Sequence, residues 1–358
     1  GDGPKTEGKF SHLRDGAMSP HMECLGRVKR VVPYKAKNFP CPFVKRWIEE
    51  EKIEFEPLYQ MCVPNREAMT KSIAKYNRAQ PQLLNEPAWQ MAGDWTEKHF
   101  GRYMAGSRVY SRERVVPEAD RQTSGGYPWS LKYRKKGDFI DSPIFNTVMD
   151  TYWESLATQT PLTTIWTASL KRELRPVEKL KTNSIRTFTA SSTEHSVCCN
   201  RMCLDANEKF YASNNKTWSF VGRSKYNRGF DDLFKRLSKH PNAFELDESS
   251  FDASLFRKAM EGQREIRWNL LHEDDKTPDN RQRLYNLYEA IIHSVIVLDN
   301  GEVVQKHTGN PSGSANTIVD NTMILFRLFA YAWIIAAIRH EKEFPVKQGY
   351  LNYARFQT

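Results

Sequence analysis

The 358-residue chain is 39% hydrophobic, enough to bury a sizeable core shared between two or three subdomains, and its length excludes a small secreted disulfide scaffold. Its 53 basic against 43 acidic residues leave a net charge of +10, which suits a polyanionic partner, either nucleic acid or an anionic membrane. The six cysteines (Cys24, Cys41, Cys62, Cys198, Cys199 and Cys203) follow no regular framework, so reduced thiols are expected.

The N-terminus, GDGPKTEGKF, is polar, carries no signal peptide and starts on Gly1 rather than methionine, as in a chain cut from a longer precursor or a fragment. Helices are expected at CPFVKRWIEEEK, NREAMTKSIAKYN and EPAWQMAGDWTEKHFGRYM, with no chemical motif among them. In RQTSGGYPWSLKYRKKGDF, Gly125, Gly126 and Pro128 mark a loop, and Lys132, Arg134, Lys135 and Lys136 follow it. A flexible backbone beside cations can approach phosphate, although most such runs are solvated faces. In TASLKRELRPVEKLKTNSIRTFTAS, Pro176 breaks any long helix and IRTFTAS reads as a strand. The six cations Lys171, Arg172, Arg175, Lys179, Lys181 and Arg186 therefore sit on an extended basic hairpin, suited to a nucleic acid or triphosphate channel.

HSVCCNRMC could suggest zinc, but it lacks a second paired arm; a helix using cysteine as a small apolar residue explains it. KTWSFVG reads as a short strand and GFDDLFKRLSKH as an amphipathic helix. FELDESSFDAS then places Asp247 at the C-terminal end of a short strand and Asp252 near the N-cap of the next helix. A helix at RQRLYNLYEAIIHSV precedes the hairpin SVIVLDNGEVVQKH, which turns at Asn300-Gly301. Gly309, Pro311 and Gly313 form a loop before one apolar helix from Thr317 to Ile338. Arg327 interrupts that helix, and its unbroken apolar run, Leu328 to Ile338, is too short to span a bilayer, so it reads as a core helix and no intrinsic transmembrane segment is expected. The whole is an α+β arrangement with helices on a small antiparallel sheet.

Four of these stretches, in order, resemble the RNA-directed RNA polymerases of positive-strand RNA viruses, in the picornavirus-like supergroup. DESSFD matches that family's first palm motif, and SGSANTIVDN the second. TSGGYPW looks like its template-entry loop, and LKRELRPVEKLKTNSIR like its basic fingers motif. Together they cover roughly residues 120 to 340, and the ordered set is far more specific than any member. GNPSG with VDN leans towards astrovirus-like and potyvirus-like members.

The resemblance implies a right-hand polymerase: fingers over 1–120 and 121–190, and part of a palm over 191–358. It implies that Asp247 ligates Mg²⁺ or Mn²⁺, helped by the Glu248 carbonyl. Asp252 would bond the ribose hydroxyls of the incoming nucleotide, and Asn321 would pair with Asp252 to choose ribose, with Thr317 and Ser312 nearby. Lys171 and Arg186 would line the nucleotide tunnel, supported by Arg175 and Lys181. Ser124, Gly125 and the flexing Ser312-Gly313 loop would touch template. The implied partners are template and nascent RNA, NTPs and other viral replication proteins, in host cytoplasm at virus-induced replication membranes.

The pattern breaks at the third palm motif, because the sequence contains no Gly-Asp-Asp hairpin. The expectation is a polymerase truncated before that motif, with the thumb absent, and inactive because one carboxylate cannot hold two metals. A reverse transcriptase shares the palm, but the Asp252 and Asn321 pair argues for ribonucleotides. A non-enzymatic RNA-binding protein would use the basic surplus with Tyr127, Trp129 and Trp166 to hold a strand.

Overall fold

The computed structural model describes residues 22–31, 41–54, 56–242, 244–343 and 349–357; the polar N-terminal stretch lies outside them. In chain order the elements used below are β1 (Met22–Arg27), α1 (Pro42–Glu50), β2 (Tyr59–Met61), α2 (Arg66–Ile73), α3 (Glu86–Met104), α4 (Phe145–Ser155), β3 (Ile165–Leu170), β4 (Leu174–Pro176), β5 (Thr187–Ala190) and α5 (Thr193–Ala212). They continue with α6 (Gly229–Leu237), α7 (Phe251–Ser254), α8 (Arg257–Leu270), α9 (Pro278–Ile292), β6 (Val295–Val297), β7 (Glu302–Lys306) and α10 (Thr317–Glu343).

The helix starts follow local chemistry. The Asn65 side chain accepts from the Ala68 N–H at the head of α2, Asn85 from Ala88 at α3, and Thr277 from Asn280 at α9. Each satisfies an N–H that the first helical turn leaves without a partner. Pro87 and Pro278 occupy first-turn positions, where no donor is needed.

Five strands form one sheet in the order β1-β7-β6-β3-β5, and β2 pairs with β4 apart from it. The main sheet is mixed, not antiparallel as the sequence suggests. β3 and β6 run parallel, with Ile165 opposite Val295, because the long helical excursion between them allows the return crossover that a parallel pair needs. The basic hairpin also differs. β5 pairs antiparallel with β3, but a short helix, Val177–Lys181, stands between them and β4 turns away to β2. KTWSFVG is not a strand: the Trp218 N–H goes to His99 Nε2 instead of to a ladder, and the indole packs on Phe326. The β6–β7 hairpin does turn at Gly301, whose φ of +87° and closeness to the Val28 carbonyl exclude a side chain.

One core joins the sheet to α5 and α9 through Trp166, Tyr288, Ile291, Ile296 and Val304. A second joins α3, α5, α8 and α10 through Phe100, Phe210, Ile266, Met323 and Phe326. Cys198, Cys199 and Cys203 lie buried along α5 as small apolar groups, with the Cys199 Sγ 3.3 Å from His195 Nε2. By length and composition Thr317–Lys342 could cross a membrane; here it packs on α3 and α8. Its Arg327 fills a slot left by Gly93 and Gly262, lies over the Trp89 ring and donates to the Trp89 carbonyl at 2.9 Å.

The start of α10 is fixed by a buried polar network. Arg267 Nε donates to Asp320 Oδ1 at 2.8 Å, and its Nη2 donates to Asn207 Oδ1 at 2.9 Å. The Tyr288 hydroxyl donates to Asp320 Oδ2 at 2.7 Å, and Asn207 Nδ2 to Asn316 Oδ1 at 3.0 Å. Three helices, α5, α8 and α9, are thereby tied to one rotational setting of α10, and the residue after Asp320 is Asn321.

Candidate functional site

Asp252 and Asn321 lie 69 residues apart in sequence and meet: Asn321 Nδ2 donates to Asp252 Oδ1 at 2.5 Å. Asp252 belongs to α7, a single turn entered through Ser250 at φ +56° and ended by an extended Leu255. It is therefore not the N-cap of α8, where Phe256 stands; its carboxylate faces Asn321 instead of orphan helix N–H groups. Burial pushes the Asp252 pKa up, while the Asn321 hydrogen bond and the Lys171 ammonium pull it down. Gly309 packs against Tyr76 at φ +77°, leaving no room for a Cβ. Burial, and then the Asp252 charge, push the Tyr76 phenol pKa up.

The pair sits in a cleft of about 290 Å³ whose walls include Ser72, Lys75, Arg186, Glu248, Ser250 and Ser312. Two larger hollows, about 440 and about 640 Å³, lie between α4 and α9 and between α3 and α8. The hollow between α3 and α8 is also lined by charged groups, Glu86, Lys258, Glu261, Arg264, Glu265 and Arg327, so the Asp252–Asn321 hydrogen bond, and neither size nor polarity, marks the site.

Cations rim the cleft. Arg186 grips Glu173 with Nε at 2.7 Å and Nη2 at 2.5 Å, and this hydrogen bonding holds the Glu173 carboxyl below its ordinary range. The Lys171 N–H donates to the Arg186 carbonyl at 2.8 Å. Arg175 Nη2 donates to the Ser184 carbonyl at 3.2 Å. Of the four cations the resemblance named for the tunnel, only Arg186 lines the cleft; Lys171 and Arg175 are not among its walls, and Lys181 is exposed and pairs with Glu178 at 2.7 Å. Lys75, which the sequence did not single out, does line the cleft. Burial lowers its pKa, and Arg175, Arg78 and Lys179 lower it further, as in a cluster of like charges suited to an anion. Its only sequence signal is a lysine at the end of an amphipathic helix, which any solvated face would give.

Two loops meet at the end of β5. The Gly313 N–H donates to the Thr189 carbonyl at 2.8 Å, and a Cβ there would lie 2.4 Å from that oxygen. Thr317 Oγ1 donates to the Pro311 carbonyl at 2.7 Å, and the Thr189 N–H to Ser312 Oγ at 3.4 Å. On the other side, the Gly125 carbonyl accepts from the Thr193 N–H at 3.0 Å and from its hydroxyl at 2.8 Å. Gly126 rests on the Ser191–Ser192 backbone. Ser124 is exposed, and its hydroxyl accepts from the Gly126 N–H at 3.2 Å.

Asp247 corrects the sequence expectation. Residues 244–248 form no strand, and Asp247 is exposed rather than seated at a strand end. A strand needs a neighbour to accept its backbone hydrogen bonds, and no strand among the described residues pairs with it. Phe244 and Leu246 are consequently 81% and 61% exposed. Glu248 reaches the cleft wall and Asp247 does not. Among the described residues no group of three or more His, Cys, Asp or Glu is placed to hold a metal ion; Asp247 and the Glu248 carbonyl are the oxygen ligands that the resemblance implies.

A mixed sheet backed by helices thus carries a carboxylate–amide pair beside the cations Lys75 and Arg186. The chain belongs to the viral RNA-dependent RNA polymerase family, whose pattern matches residues 49–353. The genome polyprotein of Brome streak virus (strain German) is 34% identical over 188 residues, covering 52% of this chain and 19% of that protein. Genome polyprotein 1 of Barley yellow mosaic virus (isolate Germany) is 30% identical over 297 residues, covering 80% of this chain and 12% of that protein. The chain thus spans less than a fifth of these relatives' lengths. Its fold is similar to that of the Sicinivirus 3Dpol RNA-dependent RNA polymerase, with a TM-score of 0.67 at 16% identity, over 78% of this chain and 61% of that one.

Proposed function

We propose that this chain selects and holds ribonucleoside triphosphates for RNA synthesis on an RNA template in viral genome replication. The observation that carries this is the half-buried Asp252–Asn321 pair at the foot of a cation-rimmed cleft. One Asp252 oxygen is taken by Asn321, and the other has no hydrogen-bond partner among the described residues. That carboxylate oxygen can accept from a ribose hydroxyl, which is both donor and acceptor. Lys171, Arg175, Arg186 and Lys75 oppose the triphosphate, and Ser124, Gly125, Ser312 and Gly313 face the template strand. Thr317 holds the Ser312 loop through Pro311. RNA template, nascent strand, NTPs and other replication proteins are the partners of this reading, with host replication membranes as its place.

Nucleotidyl transfer in this class uses Mg²⁺ or Mn²⁺ held between carboxylates. Asp247 and the Glu248 carbonyl would hold such an ion, and the second aspartate of the family's Gly-Asp-Asp pattern is missing from these 358 residues. The expected behaviour of these 358 residues is nucleotide binding without elongation.

The test has two arms: calorimetric titration of ATP, and extension of a primed RNA template with NTPs. Arg186→Ala and Asp252→Ala should each weaken ATP binding about tenfold or more. ATP binding indifferent to both substitutions overturns the nucleotide reading. Robust elongation by the unaltered chain overturns the account of its carboxylates.

A further inference from the structure

We propose that Asn310 is a positioning residue for sugar choice, holding the Asn321 amide in the orientation that serves Asp252. This rests on the ribonucleotide reading above. An ionised carboxylate only accepts hydrogen bonds, whereas an amide has one accepting and one donating end. Asp252 therefore requires Asn321 Nδ2, which it receives at 2.5 Å. The other end of the amide, Oδ1, must then meet a donor, and Asn310 Nδ2 provides it at 2.9 Å.

Asn310 is fully buried, and its backbone is fixed by the same elements. Its N–H donates to the Asp252 carbonyl at 2.8 Å, and the Gly309 N–H donates to Leu255 O at 2.8 Å. The Gly309 carbonyl accepts from Lys306 Nζ at 3.0 Å. Lys306, also fully buried, places its other two bonds on the Ile291 and Ile292 carbonyls, at 2.7 and 3.0 Å, at the C-terminus of α9. A cation at that end satisfies orphan carbonyls and suits the helix dipole. Asn310 thus hangs from the backbone of the aspartate whose side chain it serves. Its own Oδ1 is buried without a hydrogen-bond partner among the described residues. Turning Asn310 over would set two amide oxygens face to face, and turning Asn321 over would set an oxygen against the Asp252 carboxylate. The second removes the donor that holds that carboxylate in place for a ribose hydroxyl, and the first takes away the hydrogen bond that opposes it.

The experiment titrates ATP, 2′-dATP and inorganic tripolyphosphate into this chain, unaltered and as Asn310→Asp and Asn310→Ala, with circular dichroism and melting curves to confirm folding. The aspartate has nearly the same shape but offers Asn321 only acceptors, so the preference for ATP over dATP should fall about tenfold, with tripolyphosphate affinity held within about twofold. The alanine removes the donor without adding repulsion and should lower the preference about threefold; it carries the test alone if the aspartate variant does not fold. A preference for ATP that survives in a folded variant overturns this proposal and leaves the ribose site standing. So does equal weakening of all three ligands, which marks a structural role only. Equal affinity of the unaltered chain for ATP and dATP overturns the ribonucleotide reading and this proposal with it.

Discussion

At the scale of single residues, Asp252 is held in a state that costs stability. Burial raises its pKa in the folded chain, so folding favours the protonated acid. The stabilising contribution is complete below the ordinary carboxylate range and is lost as pH rises through the raised folded value. Asp252→Asn should therefore raise the melting temperature at about pH 7.5 by a few degrees, and the gain should vanish near pH 3.5. Melting curves at the two pH values check this, and an equal gain at both rejects it. The Asp252–Asn321 pairing was legible in the sequence because two short motifs resemble a family that joins them. Lys75 and Asn310 were not legible. Lysine is common on solvated helix faces, and an asparagine in a glycine loop reads as turn chemistry until the fold brings it to Asn321.

Among the elements, α10 carries the most testable energetics. Arg267 and Asp320 form an ion pair with side chains only 2% and 0% exposed. Arg267→Met leaves Asp320 as a buried charge without its partner and should cost about 3–5 kcal/mol in urea denaturation. Arg267→Lys should recover only part of this, because one ammonium cannot fork to both Asp320 and Asn207. Gly313→Ala drives a methyl group into the Thr189 carbonyl and the Ala190 Cα. It should cost about 1–3 kcal/mol by the same measurement; a loss under about 0.5 kcal/mol means that the loop yields more easily than its contacts imply. Helices α3, α6 and α9 were legible from periodicity, because that signal is local. The segment at Asp247 was misread for the complementary reason: alternation reports a β-prone stretch, but only a neighbouring strand makes it one. The mixed order of the main sheet was hidden likewise, since pairing β3 with β6 depends on the route of more than a hundred intervening residues.

For the molecule as a whole, the sheet draws β1, the β3–β5 pair and the β6–β7 hairpin from well-separated parts of the chain, so the cleft forms only when all have folded together. The net charge of +10 favours a polyanion. Binding of a single-stranded RNA oligomer should fall linearly with salt on a log–log plot, with a slope of about −0.7 for each phosphate contact. Lys171→Ala, by filter binding across a salt series, should make that slope shallower by about one such contact. An unchanged slope means that RNA does not track this rim.

Asp320 and Asn321 are adjacent in sequence yet answer to different demands. One locks the helix, and the other reaches Asp252 in the cleft from that locked position. Random substitutions at the two positions should therefore sort into two phenotypes. Errors at Asp320 should appear as loss of soluble protein with sugar choice intact in whatever remains. Errors at Asn321 should leave normal yields of a protein that mistakes one sugar for another. A virus copying its genome with frequent mistakes would lose the first kind to protein turnover and the second to its own next round of replication.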